Sequence, residues 1–124
     1  MELDERGLLH GKYIEYYESG KVRSEVAFTH GKVDGLEQIF YENENKQVFQ
    51  TSLYSNGLLD GIQRTYAENG TLLSEITYKK DKIDGKATSY WPNGKIKEEV
   101  NFTDGIRNGV YHRFNENGTL AIKT

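Results

Sequence analysis

The chain contains no cysteine, one proline, one tryptophan and three histidines among its 124 residues. Without thiols there is no disulfide framework and no thiolate metal site, so packing and hydrogen bonding must hold the fold. Three histidines leave little material for a metal centre. No run of 18 apolar residues occurs, so no helix is expected to cross a bilayer. The first residues, MELDERGLLHGKY, carry acids where a secretory leader needs a basic end and an apolar stretch, and the expected location is cytoplasmic. Hydrophobic residues make up only 35%, lean for a thick core, yet aromatic residues reach 12%, a pairing that suits a thin architecture. The net charge of -3 provides no general attraction to nucleic acid or anionic lipid. The one locally basic run, Lys79 to Lys86, reads as a solvated loop. The length suits one domain.

Glycine, by contrast, is abundant and ordered. Gly11, Gly35, Gly61, Gly85 and Gly109 are separated by 24, 26, 24 and 24 residues. Five residues after each stands an aromatic: Tyr16, Phe40, Tyr66, Tyr90 and Phe114. An aliphatic follows in every copy (Val22, Val48, Leu72, Ile96, Leu120), then a second aromatic in four of them (Phe28, Tyr54, Tyr78, Phe102). Asp34, Asp60, Asp84 or Asn108 precedes the next anchor glycine. This internal repeat predicts a single repeat domain over residues 1–124, with a partial copy at 1–10 and copies at 11–34, 35–60, 61–84, 85–108 and 109–124.

Each copy reads as two short strands, rich in Tyr, Phe, Val and Ile and bracketed by Gly, Asn and Asp. In Trp91-Pro92-Asn93-Gly94, proline fits the second position of a type I turn, Asn the third, and Gly a left-handed bulge that joins two strands. A three-residue loop of this kind places Tyr90 opposite Ile96 and, by repetition, Tyr16 opposite Val22 and Tyr66 opposite Leu72. The two extra residues in YENENKQV keep Phe40 opposite Val48, because an even insertion preserves side-chain parity. The expected fold is all-β: about five β-hairpins forming one elongated, curled antiparallel meander sheet of about ten strands, stacked to share a core. One face is expected to carry the Tyr16 and Val22 rows, then Val26, Ile76, Val100 and the Phe28 row, with Val33, Leu59 and Ile83 tucked in from the loops. Arg107 breaks that last row.

The opposite face is expected to be polar, as where Glu15 lies across from Arg23. The second copy departs from this. There Ile39 is expected to face Phe49, with Tyr41 nearby and Leu73 following on the same side. An apolar cluster on a wet face is a candidate partner-binding patch. A second row along the hairpin tips, Tyr17, Tyr41, Ala67, Trp91 and Asn115, adds Tyr17 and Trp91 as candidates, although stems of Lys21 and Lys95 lying on these rings are the better explanation of the row.

The stretch GKYIEYYESGKVRSEVAFTHGKVDG resembles the MORN repeat, in particular its bacterial variant, and the resemblance runs over roughly residues 7 to 120. It implies hairpins stacked into an elongated sheet without catalytic residues. Many bacterial members look like antitoxins or immunity proteins, while other MORN proteins are linked to membranes and scaffolding. The expected role is therefore a non-enzymatic protein binder that neutralises a partner, with a basic toxin as the partner that the acidic balance complements. The rival is a membrane-associated or envelope scaffold. Departures from the pattern lie at Glu44, Thr51 and Asp81.

Other chemistry is weakly supported. Glu25, Glu75 and Glu99 recur in register, but equivalent residues two strands apart stand about 9.6 Å from each other, too far for a retaining glycosidase and near the upper end for an inverting one, and a solvated cross-strand row explains them. Asp34, Asp60 and Asp84 occur once per copy, far too sparse for a calcium-binding β-roll, and read as turn residues. His10, His30 and His112 occupy three different repeat positions and read as surface residues. No catalytic, cofactor or metal residue is assigned.

Overall fold

The computed structural model describes residues 2–124. Its strands are β1 (Glu2–Leu3), β2 (Leu9–Tyr16), β3 (Val22–Thr29), β4 (Lys32–Val33), β5 (Gly35–Phe40), β6 (Val48–Ser55) and β7 (Leu58–Leu59). They continue as β8 (Gly61–Tyr66), β9 (Leu72–Lys79), β10 (Lys82–Tyr90), β11 (Ile96–Thr103), β12 (Ile106–Arg107), β13 (His112–Phe114) and β14 (Leu120–Lys123). All belong to one antiparallel meander in the order β1-β2-β3-β5-β6-β8-β9-β10-β11-β13-β14, with two-residue β4, β7 and β12 pairing to the strand before them. The sheet is open, so its ends never meet.

Two kinds of turn build this order. At the hairpin tips, Trp91 N–H donates to the Lys95 carbonyl and Gly94 N–H to that of Trp91, both at 2.8 Å, with Gly94 at φ 88°. That is the expected three-residue loop with proline second, and it recurs around Gly20, Gly70 and Gly118. The pairs Tyr16–Val22, Phe40–Val48, Tyr66–Leu72, Tyr90–Ile96 and Phe114–Leu120 all form as expected. At the other edge, two-residue turns join β3 to β4, β6 to β7, β9 to β10 and β11 to β12. Both central residues have positive φ: His30-Gly31, Asn56-Gly57, Lys80-Asp81 and Asp104-Gly105. This is the primed geometry that matches strand twist. The N–H of Gly31, Gly57, Asp81 and Gly105 reaches back to the carbonyl of Leu9, Val33, Leu59 and Ile83 respectively, tying each unit to the one before it. Asp34 and Asp84 perform the expected turn duty, their carboxylates accepting from the N–H of Asn56 and Asp104.

One feature overturns the expected division of faces. Beside every tip the register slips by one residue: Tyr16 pairs with Val22 but Glu15 with Ser24, and Phe40 with Val48 but Ile39 with Gln50. Arg23, Phe49, Leu73, Lys97 and Ala121 are the extra residues of five β-bulges. A single inserted residue reverses parity for the rest of the strand. Val26 therefore stands opposite Tyr13, and Phe28 opposite Gly11, on the face away from Tyr16. Tyr13 and Phe28 pack edge to face there, centroids 5.9 Å apart. Apolar rows consequently occupy both faces: the Tyr16 row, which includes Phe40, and the Val22 row on the first, and Val26, Ile76, Val100 with the Phe28 row on the second. Val33, Leu59 and Ile83 pair with Phe28, Tyr54 and Tyr78 on that second face.

Because one sheet cannot bury two faces, the core is thin. Val26 and Phe40 are the apolar side chains counted as buried among the described residues, and Ser52, which holds Val26's place in the second copy, is the most enclosed at 1% exposed. The total surface of 7879 Å² exceeds the roughly 6,800 Å² of a compact monomer of this mass.

Candidate functional site

The six candidate residues lie along the hairpin tips, spread over four successive copies. The bulge shapes the contacts of two of the tip aromatics. It turns Phe49 toward Tyr41, whose ring it meets edge-on with centroids 5.3 Å apart, and it turns Lys97 over Trp91 at 4.9 Å. Leu73 holds the equivalent place beside Ala67. Ile39 does not face Phe49 as expected; it lies opposite Gln50 on β6 and Ser24 on β3, because Phe49 is the residue that the bulge takes out of register. Nor is this cluster an apolar exception on a wet face, since the same face carries Val26, Ile76 and the Phe28 row.

The aromatic row at the tips has a repeated bonding pattern. Tyr17 Oη donates to the Phe40 carbonyl at 2.5 Å, Tyr41 Oη to the Tyr66 carbonyl at 2.6 Å, and Trp91 Nε1 to the Phe114 carbonyl at 3.0 Å. Each ring thus reaches one hairpin forward and clasps the backbone at the next core aromatic. Ala67 breaks the series. The lysines across from the row are engaged elsewhere, Lys21 with Glu44 at 3.3 Å and Lys95 Nζ with the Asn117 carbonyl at 3.1 Å. The stem expected on Trp91 comes instead from Lys97. Phe49 remains 37% exposed, whereas Tyr17, Tyr41, Leu73 and Trp91 are half-buried. On the second face lies a shallow depression of about 180 Å³ lined by Ser74, Ile76, Ala87, Thr88, Ser89, Glu98 and Val100.

The glutamate row lies on the first face, each member beside a basic or hydroxyl partner. Glu25 lies between Lys46 at 2.8 Å and Lys12 at 3.5 Å. Glu75 accepts from Tyr90 Oη at 2.6 Å and Arg64 Nε at 2.8 Å, and Glu99 lies 3.7 Å from His112. A hydrogen bond from Lys46 holds the Glu25 carboxyl below the usual range; one from Tyr90, then Arg64, does the same to Glu75. A general acid needs the opposite shift. The same bond pushes the Tyr90 hydroxyl up to about 12.

Two histidines that differ in repeat position do meet in space. His10 and His30 rings stand 5.0 Å apart, and His30 Nδ1 lies 2.5 Å from Asp4. That contact, with N–H groups of Leu8 and Arg6, holds the Asp4 carboxyl down to about 2. Position within the repeat concealed this cluster, because His10 ends the partial copy and His30 opens a turn. The tie between Leu9 and Gly31 is what draws them together. Among the described residues, no group of three or more His, Asp or Glu side chains is placed to hold a metal ion. Among the described residues, no helix is long and apolar enough to cross a membrane.

A linear stack of hairpins, each buried only by its neighbours within one continuous sheet, defines a β-repeat protein. The MORN repeat variant matches residues 9–30, 59–80 and 83–104, more than half of the chain, and the chain belongs to that family. The segments outside the match include the second copy, with its longer loop and its Glu44 and Thr51. No curated protein matches the chain. Membership defines a repeat module of a generally non-catalytic kind.

Proposed function

We propose that this chain is a protein-binding module of the antitoxin or immunity type, which neutralises a partner by covering it with the second face of its sheet. The observation that carries this reading is the cluster of Tyr41 and Phe49, with Ile39 on the same face, where an exposed Phe49 ring stands on a tip row already braced by backbone clasps. Aromatic side chains on a rigid frame are the usual anchors of protein interfaces. The net charge of -3 favours a basic partner, such as a nuclease toxin. The test is affinity capture from source cells, followed by reconstitution with the recombinant partner. Phe49→Asp should weaken the dissociation constant at least tenfold while stability changes by no more than about 1 kcal/mol, the scale of one lost aromatic pair. A variant that holds the partner as tightly as the parent removes the patch from the interface.

One observation favours the scaffold reading. Leu8, Lys32, Leu58, Lys82 and Ile106 occupy equivalent positions along the primed-turn edge, and all are exposed, Ile106 by 73%. Alternating aliphatic and cationic side chains suit an anionic lipid surface. Strong, salt-sensitive co-sedimentation with phosphatidylserine vesicles, lost in Lys32→Glu with Lys82→Glu, would establish it against the antitoxin reading.

A further inference from the structure

The aromatic clasp at the tips repeats at every interior step except one. Position 67, where Tyr17, Tyr41 and Trp91 have their equivalents, holds alanine, so among the described residues no side chain donates to the Tyr90 carbonyl as others do to Phe40, Tyr66 and Phe114. The surroundings of a rung are nevertheless in place. Leu73 stands where Phe49 packs on Tyr41 and where Lys97 covers Trp91, offering an apolar wall. The tip loop itself is intact, with Ala67 N–H bonded to Thr71 and Gly70 N–H to Ala67, both at 2.9 Å. The ring is therefore missing from a tip loop that keeps the common form, and the place it would fill is called the Ala67 slot.

We infer that the Ala67 slot receives a tyrosine or tryptophan side chain of the protein partner, which lies against Leu73 and donates its O–H or N–H to the Tyr90 carbonyl. The chain's own three rungs specify this chemistry: a flat ring for the gap between hairpins and one donor at its far end. An aliphatic side chain would fill the space and supply no donor to the carbonyl, and a charged one would be desolvated against Leu73. By repeat position the slot falls between the Tyr41 and Phe49 patch and Trp91. The acidic chain adds a preference for a ring flanked by basic residues. The inference rests on the protein-binding reading for the source of the ring, but the slot can be tested alone.

The experiment is an amide NMR titration of the full chain with 4-methylphenol, and with toluene as the ring that lacks a donor. Saturable shifts at Ala67, Leu73 and Tyr90, with toluene about fivefold weaker, are expected from one hydrogen bond. Ala67→Trp should abolish these shifts and raise Tm by roughly 3–5 °C through a fourth clasp. Leu73→Ser, which leaves the tip loop untouched, should weaken 4-methylphenol without a gain in Tm. Shifts elsewhere, equal binding of toluene, or undiminished binding to either variant overturns the inference. Because no partner takes part, that failure would leave the protein-binding reading standing, whereas an inert Phe49→Asp would remove the patch and leave the slot.

Discussion

Tyr90 is a residue whose single hydroxyl connects two hairpins, since its ring lies in the fourth copy and its acceptor, Glu75, in the third. The bond lowers the Glu75 carboxyl and raises the Tyr90 phenol, two views of one interaction. Its stabilisation is fully present between the ordinary carboxyl and phenol values. It fades as pH falls through the lowered Glu75 value, because protonation removes the charged acceptor, and again as pH rises through about 12, when the donor is lost. Tyr90→Phe should cost about 1 kcal/mol at pH 7, at the low end for a charged hydrogen bond because the pair is only half-buried. In urea denaturation, that difference from the parent should shrink as pH falls through the lowered Glu75 value. A constant difference would mean that the ring, not the hydroxyl, carries the effect.

Among the elements, the turns govern the strands. Gly20 and Gly61 both adopt positive φ, 92° and 129°, but a side chain at Gly20 would meet nothing, whereas one at Gly61 would stand 3.0 Å from Leu53 Cβ. That atom is fixed to the backbone of β6 and cannot swing aside. Gly20→Ala should therefore cost about 1 kcal/mol, the left-handed penalty alone, and Gly61→Ala about 3 kcal/mol or more, compared by chemical denaturation. Equal costs would show that Leu53 yields. The bulges act at the same scale: one residue in each second strand moves Val26 and Phe28 to the other face and gathers Phe49 with Tyr41.

At the scale of the whole molecule, each hairpin is buried by its neighbours, so an interior unit is covered on two sides and a terminal one on a single side. All four residues of β14 are exposed, while β6 and β10 contain the enclosed Ser52 and Thr88. Amide hydrogen exchange should accordingly be fastest in β1, β13 and β14 and slowest from β6 to β10, in a graded series and not one cooperative step. Uniform protection along the chain would contradict the stacked-unit picture.

The amino-acid sequence by itself determined the repeat, the hairpins, their pairing at the tips and the parity of the long second loop. These follow from local rules, since glycine, asparagine and proline select turn geometry and the turn sets the first pair of each ladder. What lay beyond it was everything past the bulge. Nothing in the composition of Arg23, Phe49, Leu73, Lys97 and Ala121 distinguishes a bulged residue, so the faces were divided wrongly from Val26 onward. The clasps of Tyr17, Tyr41 and Trp91 and the meeting of His10 with His30 were hidden for a related reason. They join residues 20 to 25 positions apart, across hairpins whose relative placement is settled only when the sheet twists and neighbouring units stack.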